Sequence, residues 1–150
     1  MDAIDREILS ALQEDGRATM TEVAQRVGLS LSACHRRFRD LLASGVIRGF
    51  RAELDLDLLG LPFEALVFVT MRAADHASWS AFEEAVAAIP NVVQAQRLFG
   101  EPDYLLHVIT QDLPAFQRLY DESLSSLPNV QRLTSTLVMK RVVQDRPLPL

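Results

Sequence analysis

One cysteine in 150 residues excludes two chemistries at once. A single thiol cannot build an internal disulfide framework, and it cannot supply a cysteine-based zinc site. Cys34 falls on the apolar side of a helical pattern, so it reads as a small core residue rather than a reactive one. Long apolar runs are missing too. The most apolar stretch, residues 65–71, is far short of the roughly 20 residues a membrane span needs. No basic, apolar leader opens the chain, which begins with Asp2, Asp5 and Glu7. Asp103 and His107 invite an acid–base reading, with Glu101 nearby as a hairpin charge. They have no nucleophile, metal partner or Gly-rich phosphate loop beside them in the sequence. The expectation is a soluble cytoplasmic protein, not an enzyme, with no cofactor and no metal.

Positive charge is also scarce: the net charge is −5, which argues against a nucleic-acid partner. The distribution reverses that argument. Residues 1–51 hold 8 Arg against 7 Asp and Glu (net +1), and residues 52–150 hold 7 Lys and Arg against 13 Asp and Glu (net −6). An acidic remainder suppresses non-specific DNA binding elsewhere on the surface.

The basic part is organised around residues 19–47. Thr19-x-x-Glu22 is a capping box, with Ala18 and Val23 placed for a small staple. A short helix follows and Gly28 stops it. Ser30 then caps a second helix over 31–43, with Gly45 just beyond. Helix, glycine turn and helix form a helix-turn-helix. At 100° per residue Leu31, Cys34, Phe38, Leu41 and Leu42 share the inner face. Ser32, Ala33, Arg36, Arg39 and Asp40 lie opposite, flanked by His35 and Arg37. Short polar residues at the start followed by arginines suit a helix entering the major groove. Ser30, Ser32, Ala33, His35, Arg36, Arg37 and Arg39 are therefore candidate DNA-binding residues. The bland reading is a solvated amphipathic helix. Arg17 in a loop and Arg48 on a strand over 46–54 are candidates for phosphate, with a solvated charge the alternative for Arg17. An earlier helix, capped by Asp2 and ended by Gly16, brings Ile4, Ile8, Leu9 and Leu12 to the shared core.

Gly60 and Pro62 punctuate a linker over 52–62. Beyond it the pattern reads strand 63–72, helix 78–89 capped by Ser78, strand 92–100, strand 104–110, helix 113–127 and strand 130–143. Ile89-Pro90-Asn91-Val92 recurs as Leu127-Pro128-Asn129-Val130. Two such units make a ferredoxin-like βαββαβ sandwich with one sheet face open, and an open apolar face needs a second copy. The fold class is thus α+β. A three-helix (winged) helix-turn-helix domain spans 1–51, and a ferredoxin-like ligand-binding and oligomerisation domain spans 63–150.

Three sets of residues, in order, resemble the Lrp/AsnC family, the feast/famine regulators. They are Asp2, Asp5, Ile8, Leu9 and Leu12; then Val23-Ala24 through Gly28-Leu29-Ser30 to Arg37, Leu41 and Gly45-Val46-Ile47; then Gly100, Asp103 and Tyr104 between two strands. Pro147-Leu148-Pro149-Leu150 is similar to a tail found in part of the family. Leu42 and the loop 73–79 depart from its pattern, which leaves target DNA and effector open. The resemblance implies a transcription regulator that binds double-stranded DNA as homodimers, often assembled into octamers, with an amino-acid effector bound between dimers. The Gly-Glu-x-Asp-Tyr form is similar to the branch sensing leucine or methionine. It implies an effector site at Leu98, Gly100, Asp103 and Tyr104, with hydroxyls from Thr134, Ser135 and Thr136. Asp103 would accept from the ammonium and the Gly100 amide would meet the carboxylate. Without the resemblance, Gly-Glu-Pro-Asp reads as a plain hairpin. Two further readings stand beside this one: a DNA-wrapping architectural protein without ligand, and a standalone ligand-binding ferredoxin-like domain.

Overall fold

The computed structural model describes residues 1–144 and 146–150. The chain forms two compact units, Met1–Glu53 with Val142–Leu150, and Leu54–Arg141. The last nine residues, grouped with the second domain by the sequence pattern, thus fall with the first unit.

In the first unit three helices enclose a small core. Helix α1 (Ala3–Glu14) starts at a capping box in which Asp2 and Asp5 accept each other's backbone N–H. It buries Ile8, Leu9, Ala11 and Leu12. It ends at the Asp15 cap rather than at Gly16. Gly16 instead lies under Phe50, whose ring would stand 3.3 Å from a Cβ there. Helix α2 (Met20–Arg26) has the expected box: Thr19 Oγ1 accepts from Glu22 N–H, and Glu22 Oε2 accepts from Thr19 N–H at 2.7 Å. Gly28 then turns the chain at φ +67°, a conformation that costs other residues strain. Helix α3 (Leu31–Ala43) starts at Ser30, whose Oγ accepts from Ala33 N–H.

Two sequence expectations fail in this unit. The inner face of α3 is narrower than expected: Cys34 and Leu41 are buried, but Leu31 and Leu42 are 46% and 39% exposed. No strand forms over 46–54, because no neighbouring strand is there to complete a ladder. That stretch is coil, and Phe50 on it packs near Phe38 with ring centroids 6.4 Å apart.

The second unit is a split βαβ sandwich with sheet order β2-β3-β1-β4, every pairing antiparallel. Strand β1 (Phe63–Met71) lies between β3 (Tyr104–Thr110) and β4 (Val130–Leu137), and β2 (Val92–Arg97) is an edge. Ala65, Val67 and Val69 on β1 and Leu106 and Val108 on β3 are fully buried under Phe82 of α4 (His76–Ala87) and Phe116 of α5 (Leu113–Glu122). Each of these side chains larger than Ala65 contributes about 1.5–3 kcal/mol by burial. Paired residues share a sheet side, so Leu66, Phe68, Leu105, His107, Thr134 and Thr136 line the opposite face.

Several boundaries move. Asp75, not Ser78, caps α4, accepting from Ser78 N–H at 2.9 Å and from its hydroxyl at 2.9 Å. A carboxylate three residues ahead outcompetes a hydroxyl that it already binds. Strand β2 stops at Arg97, where its partner β3 begins at Tyr104. Helix α5 stops at Glu122 and is followed by a 3₁₀ turn, Leu124–Ser126. Strand β4 stops at Leu137, opposite Ala65 and two residues short of the start of β1; the last contact is Val138 N–H to Glu64 O at 3.0 Å.

Candidate DNA-reading helix and effector turn

Helix α3 presents Ser32, His35, Arg36 and Arg39 to solvent, with Ala33 half-buried beside them. Ser30 is spent on folding: its hydroxyl holds the cap and lies 3.3 Å from the Ser32 hydroxyl. Arg17 and Arg48 are exposed, the first in a loop pinned by its own N–H to the Asp15 carboxylate at 2.8 Å. Arg37 behaves differently from its neighbours. Its Nη1 donates to Asp5 Oδ1 at 2.7 Å and to Asp2 Oδ2 at 2.8 Å. Those bonds, Asp5's first, push the guanidinium pKa further up. The Asp2 carboxyl is held below its ordinary value by the Asp5 N–H and then by Arg37.

The turn between β2 and β3 brings Leu98, Gly100 and Asp103 together. Leu98 N–H donates to Asp103 O at 2.7 Å, and Gly100 adopts φ +127° with open space around it. The Asp103 carboxylate already has a partner: Oδ2 accepts from the Met71 N–H at 2.7 Å. Tyr104 faces the helices, buried against Phe82 with ring centroids 4.5 Å apart. Its hydroxyl donates to Glu83 at 2.8 Å, and burial followed by Glu83 pushes its pKa up to about 12. Thr134 and Thr136 stand on the open sheet face, Ser135 on the helix side. Phe68 of β1 pairs with both Thr134 and Leu105, so Thr134 is two strands from β3, about 10 Å away.

Two features escaped sequence reasoning. A cleft of about 390 Å³ lies between α4 and β2, floored by Phe82 and Val86, with Glu83 and Arg97 3.4 Å apart at its side. The Arg97 guanidinium also sits 4.9 Å above the Trp79 ring. On the open face Glu64 is a charge in an otherwise apolar strand, and that was a readable signal. Burial alone would raise its pKa, but hydrogen bonds from Arg141 and the charges of His107 and Arg141 hold it below the ordinary value. His107 Nε2 lies 3.1 Å from Glu64 Oε1, close enough for an ion pair but out of line for a good hydrogen bond. Among the described residues no three His, Cys, Asp or Glu side chains gather as a metal would need, and no helix is long and apolar enough to cross a membrane.

Comparison with known proteins matches both units. Residues 1–48 fit a family model described as winged helix-turn-helix DNA-binding. Residues 64–148 fit one described as the Lrp/AsnC ligand binding domain. A leucine-responsive regulatory protein of Rhizobium meliloti (strain 1021) is 39% identical over 142 residues, covering 95% of this chain and 91% of that protein. A proline dehydrogenase transcriptional activator of Rhizobium radiobacter is 37% identical over the same shares. A transcriptional regulator from Neisseria meningitidis, crystallised as its L-Met complex, superposes with a TM-score of 0.94. It is 35% identical, and the match covers 99% of this chain and 96% of that one.

Proposed function

The chain belongs to the Lrp/AsnC family of helix-turn-helix DNA-binding regulators, and on that premise we propose how its parts divide the work. Residues 1–51 read double-stranded DNA, 52–62 link, and 63–150, apart from the tail beyond Arg141, bind a small effector and assemble the protein. Helix α3 enters the major groove, with Arg36 and Arg39 reaching base edges and Ser32, Ala33 and His35 fitting its start against the groove floor. Arg17 and Arg48 hold phosphates. The carrying observation is the exposed Ser32-Arg36-Arg39 face on a helix capped and turned as a helix-turn-helix requires.

The effector is an amino acid with an apolar side chain, such as leucine or methionine, held at the Gly100–Asp103 turn. Its support is the leucine-responsive name of one relative and the L-Met complex of another. No catalytic role is proposed. Two copies pack through the open sheet face and carry two recognition helices, and such dimers assemble further, towards an octamer, in the cytoplasm. The DNA site is then a pseudo-palindrome with half-sites about one helical turn, or a multiple, apart. The regulated genes serve amino-acid metabolism or transport.

The test is Arg36→Ala against a duplex selected from a random pool by the wild-type chain. It loses about 1–3 kcal/mol there and little on shuffled DNA. Equal affinity of wild type and variant for both duplexes refutes α3 as the reader.

A further inference from the structure

Helix α3 is thinly anchored for a reading element. Only Cys34 and Leu41 on it are buried, with Phe38 half-buried, whereas α1 buries four residues. A rotation of about 10° moves a side-chain tip 5–6 Å from the axis by about 1 Å. That is wider than the tolerance of a hydrogen bond to a base edge. Something besides apolar packing has to fix the angle of α3.

Arg37 is placed to do so. Its two acidic partners are also the two halves of the α1 capping box. Asp2 Oδ1 accepts from Asp5 N–H and Asp5 Oδ2 accepts from Asp2 N–H, both at 2.9 Å. The remaining oxygens, Asp2 Oδ2 and Asp5 Oδ1, both take Arg37 Nη1. All four carboxylate oxygens are therefore held, and each carboxylate is oriented before it meets the arginine. The Asp5 side chain is 16% exposed and that of Arg37 25%, so water competes weakly for the inner bond. One guanidinium with two carboxylates carries a net charge of −1. Such a cluster gains nothing from a neighbouring phosphate.

We infer that Arg37 is a positioning residue and not a DNA contact: with Asp2 and Asp5 it ties the start of α1 to α3 and sets the angle at which Arg36 and Arg39 meet the bases. This rests on α3 being the reading helix. It has a consequence opposite to simple electrostatics. Removing an acidic charge from a DNA-binding unit ordinarily tightens its grip on DNA. Removing Asp5 or Asp2 here loosens the specific grip.

Full-length Arg37→Gln, Asp5→Asn and Asp2→Ser are compared with wild type by fluorescence anisotropy. The duplexes are the one selected by wild type from a random pool and its shuffled version, across a salt series. Asn and Ser keep an acceptor for the capping box, and circular dichroism checks that each variant is folded. The expected result is an affinity loss of about tenfold on the selected duplex for all three, little change on shuffled DNA, and an unchanged salt slope. Arg37→Gln weakening both duplexes alike, with the slope smaller by about one unit, would make Arg37 a phosphate contact and overturn the inference. Asp5→Asn binding the selected duplex as tightly as wild type, or more tightly, overturns it as well. If Arg37→Gln does not fold, the two aspartate variants decide alone. A wild-type chain that selects no duplex refutes the DNA reading itself, which is a separate and recognisable failure.

Discussion

Asp103 has one structural task in hand and one proposed for it, and two substitutions separate them. Its Oδ2 accepts from the N–H of Met71, a residue only 6% exposed, at 2.7 Å. Asp103→Ala leaves that N–H without its partner. A hydrogen bond to a charged group contributes about 1.5–3 kcal/mol, and the partial exposure of Asp103 puts this one at the lower end, about 1.5 kcal/mol. The backbone bonds on either side, Asp103 N–H to Val69 O at 2.9 Å and Leu98 N–H to Asp103 O at 2.7 Å, survive the change. In a unit the size of Leu54–Arg141 the loss lowers Tm by about 6–12 °C. Asp103→Asn keeps an oxygen for Met71 and should melt close to wild type. It removes the charge proposed to meet the effector's ammonium, so a charge-assisted bond becomes a neutral one of about half the strength. Differential scanning calorimetry reads the first effect. Isothermal titration with leucine and methionine at millimolar concentration reads the second, where Asp103→Asn binds about fivefold more weakly. If Asp103→Ala melts within a degree or so of wild type, the Met71 bond is not the brace described. If Asp103→Asn binds both amino acids as wild type does, its charge is not the ammonium's partner.

Glu64 gives a pH prediction. Its folded pKa is depressed, so its contribution to stability is complete above its unfolded value, near 4.5, and is lost as pH falls through the lower folded value. Urea unfolding between pH 7 and pH 3 therefore shows a shallower acid loss for Glu64→Gln than for wild type; identical pH profiles would refute the pairing with Arg141 and His107. Phe68→Glu puts a charge in the middle of the open sheet face, opposite Leu105 and Thr134. Light scattering after size exclusion should find it monomeric at micromolar concentration, and an unchanged assembly would mean that copies meet elsewhere.

What the sequence made legible was mostly local chemistry. The Thr19–Glu22 box, the Ser30 cap and the Gly28 turn stand where the pattern put them, because each depends on residues within about four positions, and β3 keeps its expected bounds with a partner strand on each side. The failures depend on partners farther away. Residues 46–54 have strand-like composition but no strand beside them, and β4 ends opposite Ala65 although its composition continues to Val143. Leu31 and Leu42 obey the helical period, yet the three-helix core is too small to cover both. Ser78 lost its cap to Asp75, a competition between two good capping residues that spacing alone does not decide. Tyr104 lies next to Asp103 in sequence but on the other side of the sheet from Leu105, by plain alternation, so it serves the helix face.

Sheet order bears most directly on the proposed effector site. In one chain β1 separates the Asp103 turn from Thr134 and Thr136 by about 10 Å across the sheet, and the strand rise adds to that, most for Thr136. The ammonium and carboxylate of an α-amino acid hang from one carbon, so a partner at each end within hydrogen-bond reach cannot be that far apart. One chain therefore offers Asp103 and the Gly100 amide but not the hydroxyls. If the threonines contribute, they come from a second protomer, and the site exists only where two protomers meet. A ligand that needs both protomers binds the assembled form better, and by linkage it must also favour assembly. Diluting the protein below its assembly midpoint then weakens leucine or methionine binding, and Thr134→Val weakens it only in the assembled form. Affinity that stays constant across dilution while light scattering shows dissociation would place the complete site within a single chain and remove the threonines from it.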